Sequence, residues 1–292
     1  MKKLFVFVNI LMLFCIFAGC RSAGDWLHRG GKPQRPEQPV LSSHASALEV
    51  ITLVNNNVRK IDSFSTTDAT LSGKGFFNLK GEIAFKRPGL FRLRGSHAVS
   101  GSELDVGRNN EVCWLWVAKW EPKAVYYCLN SQYDSCQALQ NLPIDPSWLI
   151  SALGFGELPE HARYAGPFLE EDGDHLSLRL QEVTPGGQER TRVFVVNRYY
   201  GLPAAVRVYD KYNMLIADAS VQSYRKDVTT GLMLPNSVRL RCPKENDGQG
   251  IEISIQFGHP SLNQLQTSNP HLWNMPSYPG YPPQDMTKMT PM

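Results

Sequence analysis

The stretch FNLKGEIAFKRPGLFRL, residues 77–93, decides the fold class. Its first half alternates between apolar and polar residues, and the apolar ones share one face of an extended chain: Phe77, Leu79, Ile83 and Phe85. This period of two predicts a strand with one buried and one solvated face. Residues 87–89 (RPG) are a turn signal, after which Phe91 and Leu93 alternate with arginines. The stretch therefore predicts an antiparallel hairpin.

Apolar runs elsewhere in the chain predict further strands. They cover residues 104–106, 112–117, 125–129, 176–180, 192–197, 205–209, 215–221, 238–242 and 251–257. The run 112–117 (VCWLWV) is apolar at every position, which indicates a central strand covered on both faces. Residues 210–213 (DKYN) separate two of the runs and predict a hairpin turn.

Two helices are predicted. Ser46 and Glu49 form a capping box, and apolar residues then recur at helical spacing: Leu48, Ile51, Val54, Val58 and Ile61. A shorter helix begins after Asp145, with Pro146 in its first turn, and ends at Gly154. The order of elements predicts an α+β protein, mainly antiparallel β, with one twisted sheet wrapped around helices.

The chain begins with the pattern of a secretory signal. Two lysines precede an apolar run that is shorter than the roughly 20 residues of a membrane span. Residues 17–20 (FAGC) resemble the lipobox of bacterial lipoproteins, in which the cysteine is acylated and the chain is cut before it. We therefore expect a signal peptide over 1–19 and lipid attachment at Cys20, with an uncleaved anchor or an ordinary signal as the alternatives. Two acyl chains would make the attachment stable.

The remaining chain divides into three parts by composition. Residues 20–44 are rich in glycine, proline and charge, and predict a flexible tether. Residues 45–265 hold the predicted helices and strands and are interpreted as one domain. Residues 266–292 lose all periodicity around YPGYPP, which predicts a disordered proline-rich tail.

Charge and cysteine content narrow the function classes. Cleavage before Cys20 removes two lysines, so Lys plus Arg falls from 30 to 28 against 27 acidic residues, a net charge near +1. A nucleic-acid partner requires a strongly basic face, so none is expected. Outside the cytoplasm, the four cysteines downstream can pair into two disulfides with open connectivity, or stay as buried thiols: Cys113, Cys128, Cys136 and Cys242.

No catalytic or metal signature is found. The chain lacks G-x-S-x-G, H-E-x-x-H, a P-loop and G-x-G-x-x-G. Its seven histidines share no ligand spacing, and residues 170–174 (EEDGD) indicate a solvated acidic turn instead of a calcium loop. Glu103, Asp105 and Glu111 lie near strands, but no acid–base pair can be chosen among them. We expect no catalytic residue, metal or cofactor, and no enzyme.

Several stretches resemble the LolA/LolB-like superfamily of bacterial periplasmic carriers and outer-membrane lipoproteins. They are FKRPGLFRL (85–93), LDVGRNN (104–110), VCWLW (112–116), LP at 202–203, VYD (208–210) and LPNSV (234–238). The resemblance spans about residues 45–257. It implies an incomplete, half-open antiparallel barrel with helices on its apolar concave face. It also implies a cell-envelope location and, since Arg21 and not aspartate follows Cys20, the periplasmic side of the outer membrane.

The function expected from these features is lipid binding. Large apolar residues on the predicted strands are candidates to line a cavity: Phe77, Leu79, Ile83, Phe85, Phe91, Leu93, Trp114 and Trp116. An anchored protein with such a cavity would bind a lipid or acyl chain, including in lipoprotein or lipid transfer and localisation. The alternative is a packed-barrel envelope scaffold that binds a protein, whose identity the sequence does not give, and no lipid.

Overall fold

The hairpin predicted from residues 77–93 is present in the computed structural model as β2 (Phe76–Lys86) and β3 (Leu90–His97). Ile83 lies opposite Leu93 and Phe85 opposite Phe91, so the apolar residues of both strands share one face. The structure describes residues 35–73, 76–136, 146–183, 187–243, 250–265 and 270–289. Only the backbone is described for residues 76, 77, 134, 135, 146, 147, 251 and 270.

The described residues form fifteen strands in one sheet. The other strands are β1 (Ser63–Gly73), β4 (Gly101–Arg108), β5 (Val112–Val117), β6 (Val125–Leu129), β7 (Tyr164–Leu169), β8 (His175–Val183), β9 (Glu189–Asn197), β10 (Leu202–Asp210), β11 (Leu215–Lys226), β12 (Met233–Cys242), β13 (Ile251–Gln256), β14 (Ser261–Leu262) and β15 (Pro283–Asp285). Their order is β15-β6-β5-β4-β3-β2-β1-β13-β12-β11-β10-β9-β8-β7, with β14 paired to β1. All pairs are antiparallel except β15 with β6. The prediction of a mainly antiparallel, unclosed sheet is confirmed, since β15 and β7 are its two ends.

Within the described residues, two α-helices pack on the sheet. Helix α1 (Ala47–Val58) begins with the predicted capping box, in which the Glu49 N–H donates to Ser46 Oγ at 3.3 Å and the Ser46 N–H donates to Glu49 Oε2 at 2.6 Å. Helix α2 (Pro146–Ala152) is the predicted short helix, followed by Gly154 at φ +83°. Asp145, predicted to cap it, lies outside the described residues. Short 3-10 helices cover Asn130–Ser135, Pro270–Trp273 and Met286–Lys288.

One residue of the predicted apolar face of α1 is placed incorrectly. Leu48 is 73 % exposed, because the buried stripe runs along residues one turn apart on another side of the helix: Val50, Ile51, Val54, Asn55 and Val58. Asn55 is fully buried among them. Its side chain donates to the Leu158 carbonyl at 2.9 Å and accepts from the Leu158 N–H at 2.8 Å. This amide therefore fixes α1 to the segment that follows α2.

The arginine of the RPG turn joins several elements. Arg87 donates to the carbonyls of Val58 at 2.7 Å, of Ile61 at 2.9 Å and of Phe155 at 3.2 Å. It also pairs with Glu157 at 2.7 Å. Burial lowers the pKa of this guanidinium, yet the group remains charged because the pKa of arginine is so high. The turn thus supplies donors to the end of α1, whose last carbonyls have no partner within the helix.

The described part of the predicted tether is attached to the domain. Arg35 pairs with Asp174 at 2.6 Å, and its guanidinium lies 3.7 Å from the Tyr199 ring centroid. Leu41 is buried, and its N–H donates to the Arg198 carbonyl at 3.1 Å. The prediction of a flexible tether is therefore wrong for residues 35–44, since they bury an apolar side chain. The signal peptide, Cys20 and the rest of the tether lie outside the described residues.

The prediction of a disordered tail over 266–292 is wrong for its described part. Residues 270–289 include β15, which pairs in parallel with β6, and two of the 3-10 helices. Met286 is 2 % exposed, and Tyr278 stacks on Trp116 with ring centroids 3.7 Å apart. Composition misled the prediction, because proline and tyrosine can pack along an existing sheet without forming a core of their own. Within the described residues, no helix combines the length and apolarity required to span a membrane.

Replacing Arg87 with alanine is expected to destabilise the domain. Three backbone carbonyls would lose a charged donor, at a cost of about 1.5–3 kcal/mol. Arg87→Lys should recover only part of this, because an ammonium cannot reproduce the planar fork. The free energy of unfolding is measured by urea denaturation.

The matched control is Arg94→Ala. Arg94 lies on the adjacent strand and forms an exposed pair with Glu82, so its loss should cost less than about 1 kcal/mol. Equal effects of Arg87→Ala and Arg94→Ala would contradict the role given to Arg87.

Candidate functional site

Five of the predicted cavity residues come together on one face of the sheet. Four are almost fully buried: Ile83, Phe85, Phe91 and Leu93. Leu79 is partly buried and packs against them. We call this face, which also carries α2, the inner face. The side chain of Phe77 lies outside what the structure describes.

The centre of the inner face is filled by side chains from α2 and the residues after it. Leu149, Leu153 and Phe155 are fully buried there. The Phe155 ring stacks on Phe85 with centroids 5.1 Å apart, and it lies 4.8 Å from the Phe64 ring. These contacts place a packed aromatic cluster where the sequence suggested a cavity.

Glycines on β2 and β3 allow this packing. A Cβ atom at Gly81 would lie 2.1 Å from Leu71 Cδ1, and one at Gly95 would lie 3.0 Å from Leu79 Cδ1. Leu71 and Leu79 therefore extend across positions where the neighbouring strand has no side chain. The small residues therefore let large side chains from neighbouring strands pack closely along this row.

The packing is incomplete towards one end of the inner face. Five apolar residues there are only partly buried against the core: Leu79, Leu104, Val117, Trp120 and Ile150. Leu104 and Val117 are directly opposed on β4 and β5, and Leu104 lies opposite Gly95 on β3. We call these five residues the rim. They form an apolar border that still touches solvent beside α2.

Trp148 links the two largest apolar clusters of the domain. It packs against the cluster around Phe85 and also against the one between α1 and β8–β10. Its indole nitrogen is buried without a hydrogen-bond partner among the described residues. A buried N–H without an acceptor costs free energy of folding, so the apolar contacts that hold α2 must outweigh this cost.

Trp114 and Trp116 do not line the inner face. Alternation along β5 places Cys113, Leu115 and Val117 on that face and both tryptophans on the opposite one, where they are 1 % and 3 % exposed. The prediction that both faces of β5 are covered is confirmed. The assignment of these tryptophans to a cavity is wrong, because the residues covering them come from the C-terminal segment.

The two predicted disulfides are not present. Among the described residues, Cys113, Cys128 and Cys136 pack in one buried cluster with Met286, but no disulfide joins them. Cys242 lies on β12, and five strands lie between β12 and β5 in the sheet order. All four cysteines are present as thiols in this structure. Burial and the neighbouring thiols raise the pKa of Cys128, and burial raises the pKa of Cys242 to about 11, so neither thiol is reactive at neutral pH.

No cluster of three or more histidine, cysteine, aspartate or glutamate side chains among the described residues could hold a metal. Two histidines pair with carboxylates at the surface, His175 with Asp172 at 2.7 Å and His259 with Asp68 at 2.6 Å. Burial raises the pKa of Asp68, but hydrogen bonds from Thr66 and His259 outweigh it and lower the pKa to about 2.

In the acidic turn at 170–174, the Asp172 side chain accepts hydrogen bonds from backbone N–H groups further along the turn. Asp172 Oδ1 accepts from the N–H groups of Asp174 at 2.9 Å and of His175 at 3.2 Å. The His175 side chain pairs with the other oxygen of the same carboxylate. The oxygens of Asp172 therefore support the turn, in line with the expectation of a solvated acidic turn.

Sequence reasoning missed two groups of residues. Phe155 and the rim residue Trp120 lie outside regular strands, where no period marks them as apolar packing positions. Asp105 is fully buried under Arg92 on the face opposite α2. Alternation along β4 could have placed Asp105 on the same face as Arg92. Their burial, however, comes from the C-terminal segment, residues 270–289, which packs over them.

Comparisons with known proteins return structural matches at low sequence identity. No family model and no curated protein sequence matches the chain. A LolA superfamily protein from Nitrosomonas europaea has a TM-score of 0.47 and 12 % identity, over 77 % of this chain and 97 % of that one. A DUF1329 family protein from Desulfovibrio piger has a TM-score of 0.44 and 10 % identity, over 76 % and 94 %. An outer membrane lipoprotein-sorting protein domain from Vibrio parahaemolyticus has a TM-score of 0.42 and 9 % identity, over 76 % and 94 %.

Truncating Phe155 to alanine is expected to lower the free energy of unfolding by about 3–5 kcal/mol. The change removes a ring that contacts both Phe64 and Phe85 and leaves a cavity at the centre of the inner face. Phe168→Ala is the matched control, because Phe168 is 47 % exposed on the edge strand β7. It should change stability by less than about 1 kcal/mol. A cost for Phe155→Ala as small as that of the control would show that the inner face is not packed around this ring.

Proposed function

We propose that this chain is a lipid-anchored protein of the cell envelope that binds a lipid or acyl chain on the inner face of its sheet. Binding uses shape and apolar burial and involves no covalent chemistry, so the protein acts as a carrier or receptor in lipid or lipoprotein transfer and localisation. The observation that carries the proposal is the rim. It extends the packed apolar centre to the solvent at one end.

A continuous apolar border that reaches solvent is a feature of ligand-binding grooves and interaction sites. Leu79, Leu104 and Val117 come from three different strands, so the border is a continuous surface of the sheet and not one misplaced side chain. Trp120 and Ile150 extend it to the loop after β5 and to α2. Aliphatic and aromatic groups without a paired charge among them suit an acyl chain.

We further propose that the sheet wraps around α2 as a half-open barrel. The contacts of α2 support this, because the helix touches β4 on one side and β10 and β11 on the other. Five strands separate β4 from β11 in the sheet order. At about 4.8 Å per strand, these strands would lie more than about 25 Å apart in a flat sheet, beyond the reach of a helix about 10 Å wide.

The ligand would take the place of α2 on the inner face. The helix has seven residues; its Leu149, together with Leu153 and Phe155 directly after it, provides the fully buried contacts of this segment. Burying each of these side chains contributes about 1.5–3 kcal/mol, and each buried methylene of an acyl chain contributes about 0.8 kcal/mol. A chain with about ten buried methylenes therefore matches the contacts that it replaces.

The second candidate is a packed scaffold that binds a protein and no lipid. The stacked contact between Phe85 and Phe155 favours it, because these rings fill the centre of the inner face. The two candidates differ in whether α2 can leave. The scaffold requires α2 to stay packed under all conditions, whereas the lipid-binding protein requires it to be displaced by ligand.

Binding is tested with a fluorescent fatty acid added to the full chain. We expect saturable binding and a loss of at least about tenfold in affinity for Leu104→Glu, because a carboxylate on the rim opposes burial of the chain. Leu48→Glu is the matched control, since Leu48 is exposed on α1, and it should bind as the unmodified chain does. No saturable binding by the unmodified chain would favour the scaffold. Equal affinity of both variants would contradict the proposed site, because the fatty acid would then bind away from the rim.

Anchoring is tested separately through Cys20. We expect the unmodified protein to fractionate with membranes and to carry the mass of acyl chains, whereas Cys20→Ser should be released to the soluble fraction. Loss of one acyl chain leaves only marginal membrane affinity, and loss of all acyl chains removes that affinity. Retention of Cys20→Ser in the membrane fraction would contradict the lipid anchor and leave the acyl-chain site unaffected.

A further inference from the structure

The face opposite α2 carries a second organised site. Arg92, Asp105, Trp114 and Trp116 lie together there, beside the β6 edge of the antiparallel sheet, and we call this surface the outer groove. Arg92 is 8 % exposed and Asp105 is fully buried. The outer groove therefore combines two indole rings with a buried ion pair, and nothing in the proposed acyl-chain site uses it.

Two tyrosines of the C-terminal segment occupy the outer groove. Tyr278 stacks on Trp116 at 3.7 Å, and its hydroxyl donates to Asp105 Oδ2 at 2.9 Å. Tyr281 packs edge-on against Trp116 at 5.4 Å, and its hydroxyl donates to the Ala118 carbonyl at 2.6 Å. Each ring thus has both an aromatic contact and a specific acceptor for its hydroxyl, as in recognition of a ligand side chain.

A tight turn sets the spacing of these tyrosines. Pro279 and Gly280 lie between them, Gly280 has φ +80°, and the Tyr281 N–H donates to the Tyr278 carbonyl at 3.1 Å. Proline followed by glycine with positive φ is the pattern of a type II turn. The turn places both rings on the same side of the segment, against Trp116.

The backbone of the segment is also bound. Arg92 donates to the Leu272 carbonyl at 2.9 Å, and Asn109 donates to the Trp273 carbonyl at 3.0 Å. The Val125 N–H donates to the Pro282 carbonyl at 3.0 Å, next to the parallel pairing of β15 with β6. Strand addition to a sheet edge combined with side-chain pockets is a recurring mode of peptide recognition.

The outer groove holds its shape through contacts that do not involve the segment. Arg92 donates to both oxygens of Asp105, at 3.2 and 2.7 Å, and the Trp114 indole donates to Asp105 Oδ1 at 3.0 Å. Gly107 makes room for this indole, because a Cβ atom there would lie 2.1 Å from the Trp114 ring. Asp105 therefore stays paired when the segment is absent, which is how a preformed binding site is built.

We propose that the outer groove is a peptide-binding site, with residues 270–289 as its intramolecular occupant. It accepts, in exchange for that occupant, an extended partner segment of the same chemistry: two tyrosines flanking a Pro-Gly turn, followed by a proline-rich strand. The occupant does not satisfy every polar group, since the Trp116 indole nitrogen is buried without an acceptor among the described residues. A partner segment that supplies this acceptor would compete with the intramolecular one.

The test uses a fluorophore-labelled synthetic peptide of residues 270–289 and the full chain in two forms. Tyr278→Ala with Tyr281→Ala weakens the intramolecular occupant and leaves the outer groove intact. We expect this double variant to bind the peptide at least about tenfold more tightly than the unmodified chain, as measured by fluorescence anisotropy. Adding Trp116→Ala to the double variant should abolish the binding.

Two controls keep the outcome decisive. A peptide in which both tyrosines are alanine should not bind any form of the chain. Tyr278→Phe retains the ring and loses only the hydrogen bond to Asp105, so it should bind the peptide with an intermediate affinity, even if the double variant does not fold. Peptide affinity that is the same for the unmodified chain and for Tyr278→Phe, or binding that survives Trp116→Ala, would overturn the proposal.

Discussion

The contact of Phe155 with Phe85 and Phe64 is the interaction on which the rest of the structure depends. It attaches the residues after α2 to β1 and β2, in the middle of the sheet order. Arg87 binds the Phe155 carbonyl and the end of α1 from the neighbouring turn. One aromatic cluster and one guanidinium thus connect both helices to the hairpin formed by residues 77–93. The rim is the part of the inner face that this cluster does not cover.

The sequence predicted the elements that have a strong period. Three elements were placed correctly: the hairpin over residues 77–93, α1 with its capping box, and strand β5, which is covered on both faces. The strands β1 and β7 were missed, because serine and threonine dominate the first, and glycine and proline interrupt the second. For the candidate site, alternation identified Ile83, Phe85, Phe91 and Leu93. It could not decide whether they line a cavity or a packed core, since that depends on Phe155, which belongs to no periodic element.

The C-terminal segment shows a second limit of sequence reasoning. Its composition predicts disorder when it is considered alone, because it has too few large apolar residues to form a core. Its order comes from a surface made elsewhere, by Trp114, Trp116 and the buried pair of Arg92 with Asp105. The same surface explains why both tryptophans were assigned to the wrong face. The sheet consequently has a helix-covered inner face and a segment-covered outer groove, each held by a different kind of contact.

The central claim is that an acyl chain replaces α2 on the inner face. The most direct test is hydrogen exchange of the full chain, followed by mass spectrometry, with and without oleic acid. We predict faster exchange at the α2 amides around Leu149 when the ligand is bound, and unchanged exchange in β2 and β3, which form the wall of the site. Binding of oleic acid with no change or with slower exchange at α2 would contradict the claim, because the helix would then remain packed on the inner face while the ligand occupied another surface.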